Sequence, residues 1–133
     1  MTRFAVDCSV VLRLADGELV VHPNHQLVAP SVVRSHALAA LYGAVARGEL
    51  DRAEALERLE AIAQIRIRLL NDRVSRRRAF ELAEKLGWSN VVDAEYVAIA
   101  LLQADAFVTL DVELARALDG VVPIAEVDAL SRR

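Results

Sequence analysis

A single cysteine, Cys8, leaves the chain no internal disulfide, which fits a reducing compartment. Long hydrophobic runs are missing as well. Hydrophobic residues make up 55% of the sequence, yet they come in short blocks cut by charges, and none reaches the roughly 18 residues of a membrane span. Asp7 interrupts the N-terminus before a signal-peptide core forms, so a cytoplasmic protein with no membrane association is expected. There is no G-x-G-x-x-G or Walker A run and no adjacent pair of acids after the first apolar stretch. These absences argue against a dinucleotide-binding or receiver-like module. Positive charge is not in excess: the formal net charge is -3, which excludes coating nucleic acid by bulk charge but not a nuclease with local basic groups. Lys85 is the only lysine, and the arginines that replace it suit phosphate contacts through their planar fork. Neither repeats nor a low-complexity linker appear, so residues 1–133 read as a single domain.

What is present is an alternation of short apolar runs and helical patterns. Residues 3–7 read as a strand and 9–15 as a short helix stopped by Asp16-Gly17. After an ambiguous stretch with a turn at Pro23-Asn24-His25, a second strand at 26–29 runs into Pro30-Ser31, where the serine is a candidate helix cap. Helical spacing follows at 32–47 and 51–65, two helices joined by a short loop as a hairpin arm. Residues 65–70 alternate as a third strand, Asn71 or Asp72 caps a helix at 73–86, and another helix runs from Val91-Val92-Asp93 to Ala104. Residues 106–110 form a fourth strand ending on Asp111, which opens a helix to Leu118; a fifth strand at 121–125 and a frayed tail complete the chain. Strands alternating with helices predict an α/β fold with a parallel sheet of about five strands between helical layers.

Asp7 and Asp111 share one placement, directly after a short apolar strand and at the start of a helix. If both strands are parallel, both carboxylates lie on the carboxyl edge of the sheet, where open α/β folds bind ligands. Asp93, in the first turn of its helix, shares a face with Tyr96 and Val97. Three carboxylates brought together would repel by roughly 4 kcal/mol for a pair about 4 Å apart at an effective dielectric near 20. A hard divalent cation removes that cost, and oxygen ligands favour Mg²⁺ or Mn²⁺ over zinc. Taken singly, each acid is better explained as a helix cap or first-turn acid favoured by the helix dipole than as a ligand.

The chain resembles the PIN-domain ribonucleases of bacterial toxin–antitoxin pairs, the VapC type. The matching pieces are Phe4-Ala5-Val6-Asp7-Cys8-Ser9, Ala29-Pro30-Ser31-Val32-Val33-Arg34-Ser35, Asp93-Ala94-Glu95-Tyr96-Val97-Ala98-Ile99-Ala100, and Val108-Thr109-Leu110-Asp111 with Leu114-Ala115. The resemblance implies a PIN-like three-layer α/β/α fold, with Asp7, Asp93 and Asp111 as catalytic residues holding Mg²⁺ or Mn²⁺. It also implies endonucleolytic hydrolysis of RNA by an ion-activated water, and a VapB-type antitoxin partner that blocks the site.

One position departs from the family pattern. Where a glutamate is expected about a turn into the helix after Pro30, this chain has His36. A neutral imidazole is a poor Mg²⁺ ligand and brings no negative charge. His36 therefore either completes a Mn²⁺-leaning site or hydrogen-bonds Asp7 or Asp93 and leaves a weakened enzyme that acts by binding RNA or sequestering an antitoxin. Ser9 and Thr109 are expected to hold a carboxylate or a bound water by hydroxyl hydrogen bonds, with a helix cap as the plainer role of Ser9. Glu95 is expected to face away from the metal, and Glu113 is a weak candidate for the same reason. Cys8 reads as a small buried apolar residue, His22 and His25 as turn or surface residues, and Trp88 as a packing residue. The arginines between Arg66 and Arg78 form either a solvated face or a grip on RNA phosphates. The arm at 31–65 carries enough Leu, Ala and Ile to offer a groove to an antitoxin or to a second copy in a homodimer.

Overall fold

Phe4, Ala5 and Val6 are all buried, as a strand with neighbours on either hand and helices above and below requires. They belong to β1 (Arg3–Val6) in the computed structural model, which describes residues 1–133. β2 (Gln26–Pro30) pairs parallel to β1 through Arg3 with Gln26, Phe4 with Leu27 and Ala5 with Val28. β4 (Ala106–Val108) pairs parallel on the other side, and β3 (Ile67–Leu70) lies outside β2. The sheet is four-stranded and wholly parallel, in the order β3-β2-β1-β4.

Helices make every crossover: α1 (Cys8–Ala15) leads from β1 to β2, α2 (Val33–Ala46) and α3 (Arg52–Gln64) from β2 to β3, and α4 (Arg73–Leu86) and α5 (Val92–Gln103) from β3 to β4. α6 (Val112–Ala117) follows β4. α1, α2 and α3 pack on one another, whereas α5 lies against β1, β2 and β4 with α4 beside it. The chain steps outward from β1 to β3 and then returns across the sheet to β4, so right-handed crossovers put the two helix groups on opposite faces. A single cluster of 28 buried apolar residues joins the layers, so there is one core. The strands that form it are short, and Phe107, Val6 and Val28 are buried almost completely at its centre. No helix is long and apolar enough to cross a membrane.

The expected fifth strand at 121–125 is reduced to one parallel bridge between Phe107 and Ile124. Phe107 donates its N–H to the Pro123 carbonyl (2.9 Å) and accepts from the Ala125 N–H (3.0 Å). Pro123 has no N–H to extend the ladder. Ser31 does not cap α2: it stands one residue too early, its N–H still bonding the Leu70 carbonyl (2.9 Å), and the cap position falls to Val32 with no side-chain bond. Of Asn71 and Asp72, the latter caps α4, in a capping box with Ser75. Nor is the tail frayed. Val127–Leu130 forms a 3₁₀ turn with Leu130 fully buried, pinned by the His22 N–H on the Leu130 carbonyl (2.8 Å) and the Ser131 hydroxyl on the Val20 carbonyl (2.6 Å).

Candidate metal centre

The strand order reverses direction between β1 and β4, and a crevice opens beyond the carboxyl ends of strands at such a point. Asp7 follows β1 there and Asp111 follows the segment after β4. Asp7 is one of only two buried polar residues in the protein. Its carboxylate accepts three hydrogen bonds: Oδ1 from the Ser9 hydroxyl (2.6 Å) and the Val10 N–H (3.2 Å), capping α1, and Oδ2 from the Thr109 hydroxyl (2.5 Å). The two hydroxyls in turn accept from the other loop, Ser9 from the Leu110 N–H and Thr109 from the Asp111 N–H, each at 3.0 Å. Thus the loops after β1 and β4 are laced together through one buried anion. Ser9 supports the carboxylate as expected, and the capping of α1 belongs to Asp7.

Asp111 caps α6, its Oδ1 accepting from the Leu114 N–H (3.1 Å). Together with Asp93, Trp88, Asn90 and Glu113 it lines a cleft of about 460 Å³. Asp93 is exposed and lines the cleft. Burial first, then the charges of Asp111 and Asp7, raise its pKa above the usual carboxylate range, while His36 pulls the other way. Asp93 therefore feels the charges of Asp111, Asp7 and His36. Donor chemistry and mutual repulsion both suit a divalent cation. Even so, no three His, Cys, Asp or Glu side chains are drawn together as a ready-made metal cage; the Asp7 oxygens accept from hydroxyl and amide donors, and one Asp111 oxygen from the first turn of its helix.

His36 bonds neither Asp7 nor Asp93. Its Nδ1 shares a 2.6 Å hydrogen bond with the hydroxyl of Tyr96, a buried residue of α5. Burial first, then the charges of Cys8, Asp7, Glu95 and Asp93, raise the Tyr96 pKa, so the phenol stays neutral. The tautomer of His36 sets its capacity as a ligand. With the proton on Nδ1, His36 donates to Tyr96 and keeps a free lone pair on Nε2; with it on Nε2, Tyr96 donates and that nitrogen cannot ligate. Cys8 is half-buried rather than buried, and desolvation followed by the Asp7 charge pushes its thiol up to about 11.

Some participants are not evident from sequence. Helical spacing turns Tyr96 inward but does not mark it as the partner of His36. Glu113 lines the acid cleft, with Arg116 within 3.7 Å; its place two residues after Asp111 is the available signal. Glu95 is turned to a separate cleft at the same sheet edge, with Ser31, Ser35, Asn71 and Arg76. Trp88 is half-buried and packs on the core while also lining the acid cleft. His22 and His25 are half-buried, and the His25 ring stands edge-on to Phe4 (5.1 Å).

No family model matches the chain, and no curated protein matches it. Among solved structures it is similar to the crystal structure of PAE2754 from Pyrobaculum aerophilum, with a TM-score of 0.71 and 22% identity over 97% of this chain and 92% of that one. This likeness extends over the whole α/β fold.

Proposed function

We propose that the protein is a metal-dependent endoribonuclease of the PIN, VapC type, the toxin of a type II pair, with Asp7, Asp93 and Asp111 binding Mg²⁺ or Mn²⁺. One observation carries the reading: where the strand order reverses, Asp93 and Asp111 line one cleft, and Asp93 feels the charge of an Asp7 locked by Ser9 and Thr109. When bound, the ion supplies charge stabilisation on a phosphodiester and a lowered pKa for water beside it. Asp7 contributes a fixed, buried negative charge; Asp93 and Asp111 contribute more open carboxylates facing the cleft. The Phe107–Ile124 bridge favours a PIN-like layout, since it holds the place of a fifth strand. The arm formed by α2 and α3 exposes Leu38, Tyr42 and Leu56, an apolar surface suited to a VapB-type antitoxin or to a homodimer. Purified protein is expected to cleave single-stranded RNA with Mn²⁺ or Mg²⁺, and to lose that cleavage with EDTA or in Asp7→Asn. Cleavage surviving both treatments would overturn the proposal.

The bond between His36 and Tyr96 favours a second reading, a PIN fold with weakened catalysis that binds RNA or sequesters an antitoxin. His36→Glu discriminates between them. Under the second reading it raises cleavage by roughly tenfold or more, as expected for one restored charge-stabilising group; equal cleavage by both proteins removes that reading.

A further inference from the structure

A cleft of about 580 Å³ lies at the amino edge of the sheet, opposite the carboxylates. It is bounded by Arg3 at the start of β1, Gln26 at the start of β2, Arg66 just before β3 and Arg68 within it, with His22 from the preceding loop. No acidic residue lines it. None of the three arginines makes an ion pair. Arg3 donates through Nη1 to the Gln103 carbonyl (3.3 Å), and its buried Nε has no partner. Asp105 accepts from the Arg3 backbone N–H (2.8 Å) and lines a neighbouring cleft with Arg3, without pairing to its guanidinium.

The histidine adds to this donor set. His22 Nδ1 accepts from the Asn24 N–H (3.0 Å), which puts the ring proton on Nε2 as a further donor. Charged and neutral donors thus surround a space with no anion of the chain's own, in a protein whose net charge is -3. The remaining wall is Pro23, the apolar Val21, Leu27 and Ile65, and His25, whose ring nitrogens already bond the backbone of Thr2 and Arg132. Volume and lining match a small-molecule site with a few polar anchors. Guanidinium groups favour phosphate oxygens through paired, charge-assisted bonds, and the apolar wall accommodates a flat ring.

We propose that this cavity is a nucleotide-phosphate site, with the phosphate on Arg66, Arg68 and Arg3 and the base against Val21, Leu27 and Ile65. The phosphate comes either from a free mononucleotide or from the terminal nucleotide of an RNA. This inference does not depend on the ribonuclease reading, so its test uses Asp7→Asn protein in EDTA, where the carboxylate site is disabled. Calorimetric titrations compare inorganic phosphate, adenosine 5′-monophosphate, and a short RNA with and without a 5′-phosphate. Arg66 and Arg68 are exposed and their side chains make no ion pair, so the Arg66→Ala/Arg68→Ala double variant is expected to melt like its parent.

The expected result is mononucleotide binding tighter than phosphate, weakened roughly tenfold or more in the double variant and by added salt. Binding confined to the 5′-phosphorylated RNA, and lost in the double variant, supports the same site with RNA as its source. Absence of binding by every probe at millimolar concentration, binding unchanged in the double variant, or RNA binding indifferent to the 5′-phosphate overturns the proposal.

Discussion

At Asp7 a single carboxylate serves two purposes: Oδ1 caps α1 and holds Ser9, which reaches Leu110, while Oδ2 ties in Thr109. Its neighbour Cys8 reports on the same environment. With the thiol pushed up to about 11 from 9.0, its reaction with a thiol reagent at pH 8 is expected to be roughly a hundredfold slower than in the unfolded chain, because the thiolate is the nucleophile. The rate should climb with pH until about 11. The fold favours the neutral thiol, so this group's contribution to stability is whole below the ordinary thiol range and declines as pH rises through about 11. Stopped-flow labelling of native and urea-unfolded protein checks both the rate ratio and the pH dependence. Asp7 is legible in the sequence because it directly follows β1, and Asp111 because it follows the apolar run 106–110, of which only Ala106–Val108 is strand. Tyr96 as the partner of His36 is not, because the two lie 60 positions apart and meet only when α5 packs opposite α2.

Among the elements, helix ends marked by a local residue are more legible than those set by pairing with a distant strand. Asp72 and Asp51 cap α4 and α3 through carboxylates, while the start of α2 depends on a turn that keeps Ser31 in the β ladder. Gly87 ends α4 in the left-handed region at φ 69°. A Cβ there would meet nothing within 4 Å, so Gly87→Ala isolates the backbone cost. It is expected to lower stability by about 1 kcal/mol, seen as a reduced urea midpoint with an unchanged slope. The fifth strand is shorter than its composition suggests: Val121, Val122 and Ile124 have strand-type side chains, whereas Pro123 and the turn after α6 leave room for a single bridge.

For the molecule as a whole, alternating apolar runs and amphipathic helices are enough to give a parallel sheet, since such strands need crossovers. They are not enough to give strand order or the distribution of charge. The arginines between Arg66 and Arg78 form one patch only along the chain; folding sends Arg66 and Arg68 to the amino edge, Arg76 to a cleft at the carboxyl edge, and leaves Arg73, Arg77 and Arg78 exposed on α4. Phe107, fully buried in β4 and bonded to both Pro123 and Ala125, holds the sheet to the C-terminal segment. Phe107→Ala is expected to cost about 3–5 kcal/mol, a large share of the roughly 5–15 kcal/mol that stabilises a domain. Its urea unfolding curve should shift sharply to lower concentration.

His25 touches both ends of the chain: its Nδ1 accepts from the Thr2 N–H (3.3 Å), and its Nε2 meets the Arg132 carbonyl. Fusions at residue 1 or 133 consequently emerge side by side, away from Asp7, Asp93 and Asp111. Reporter domains or surface tethers attached at either position leave the acidic crevice open, and a short peptide joining the two positions would permit a circularly permuted chain whose new ends open elsewhere. The same attachments crowd the arginine-lined cavity, so polyhistidine tags belong off the protein before its ligands are sought.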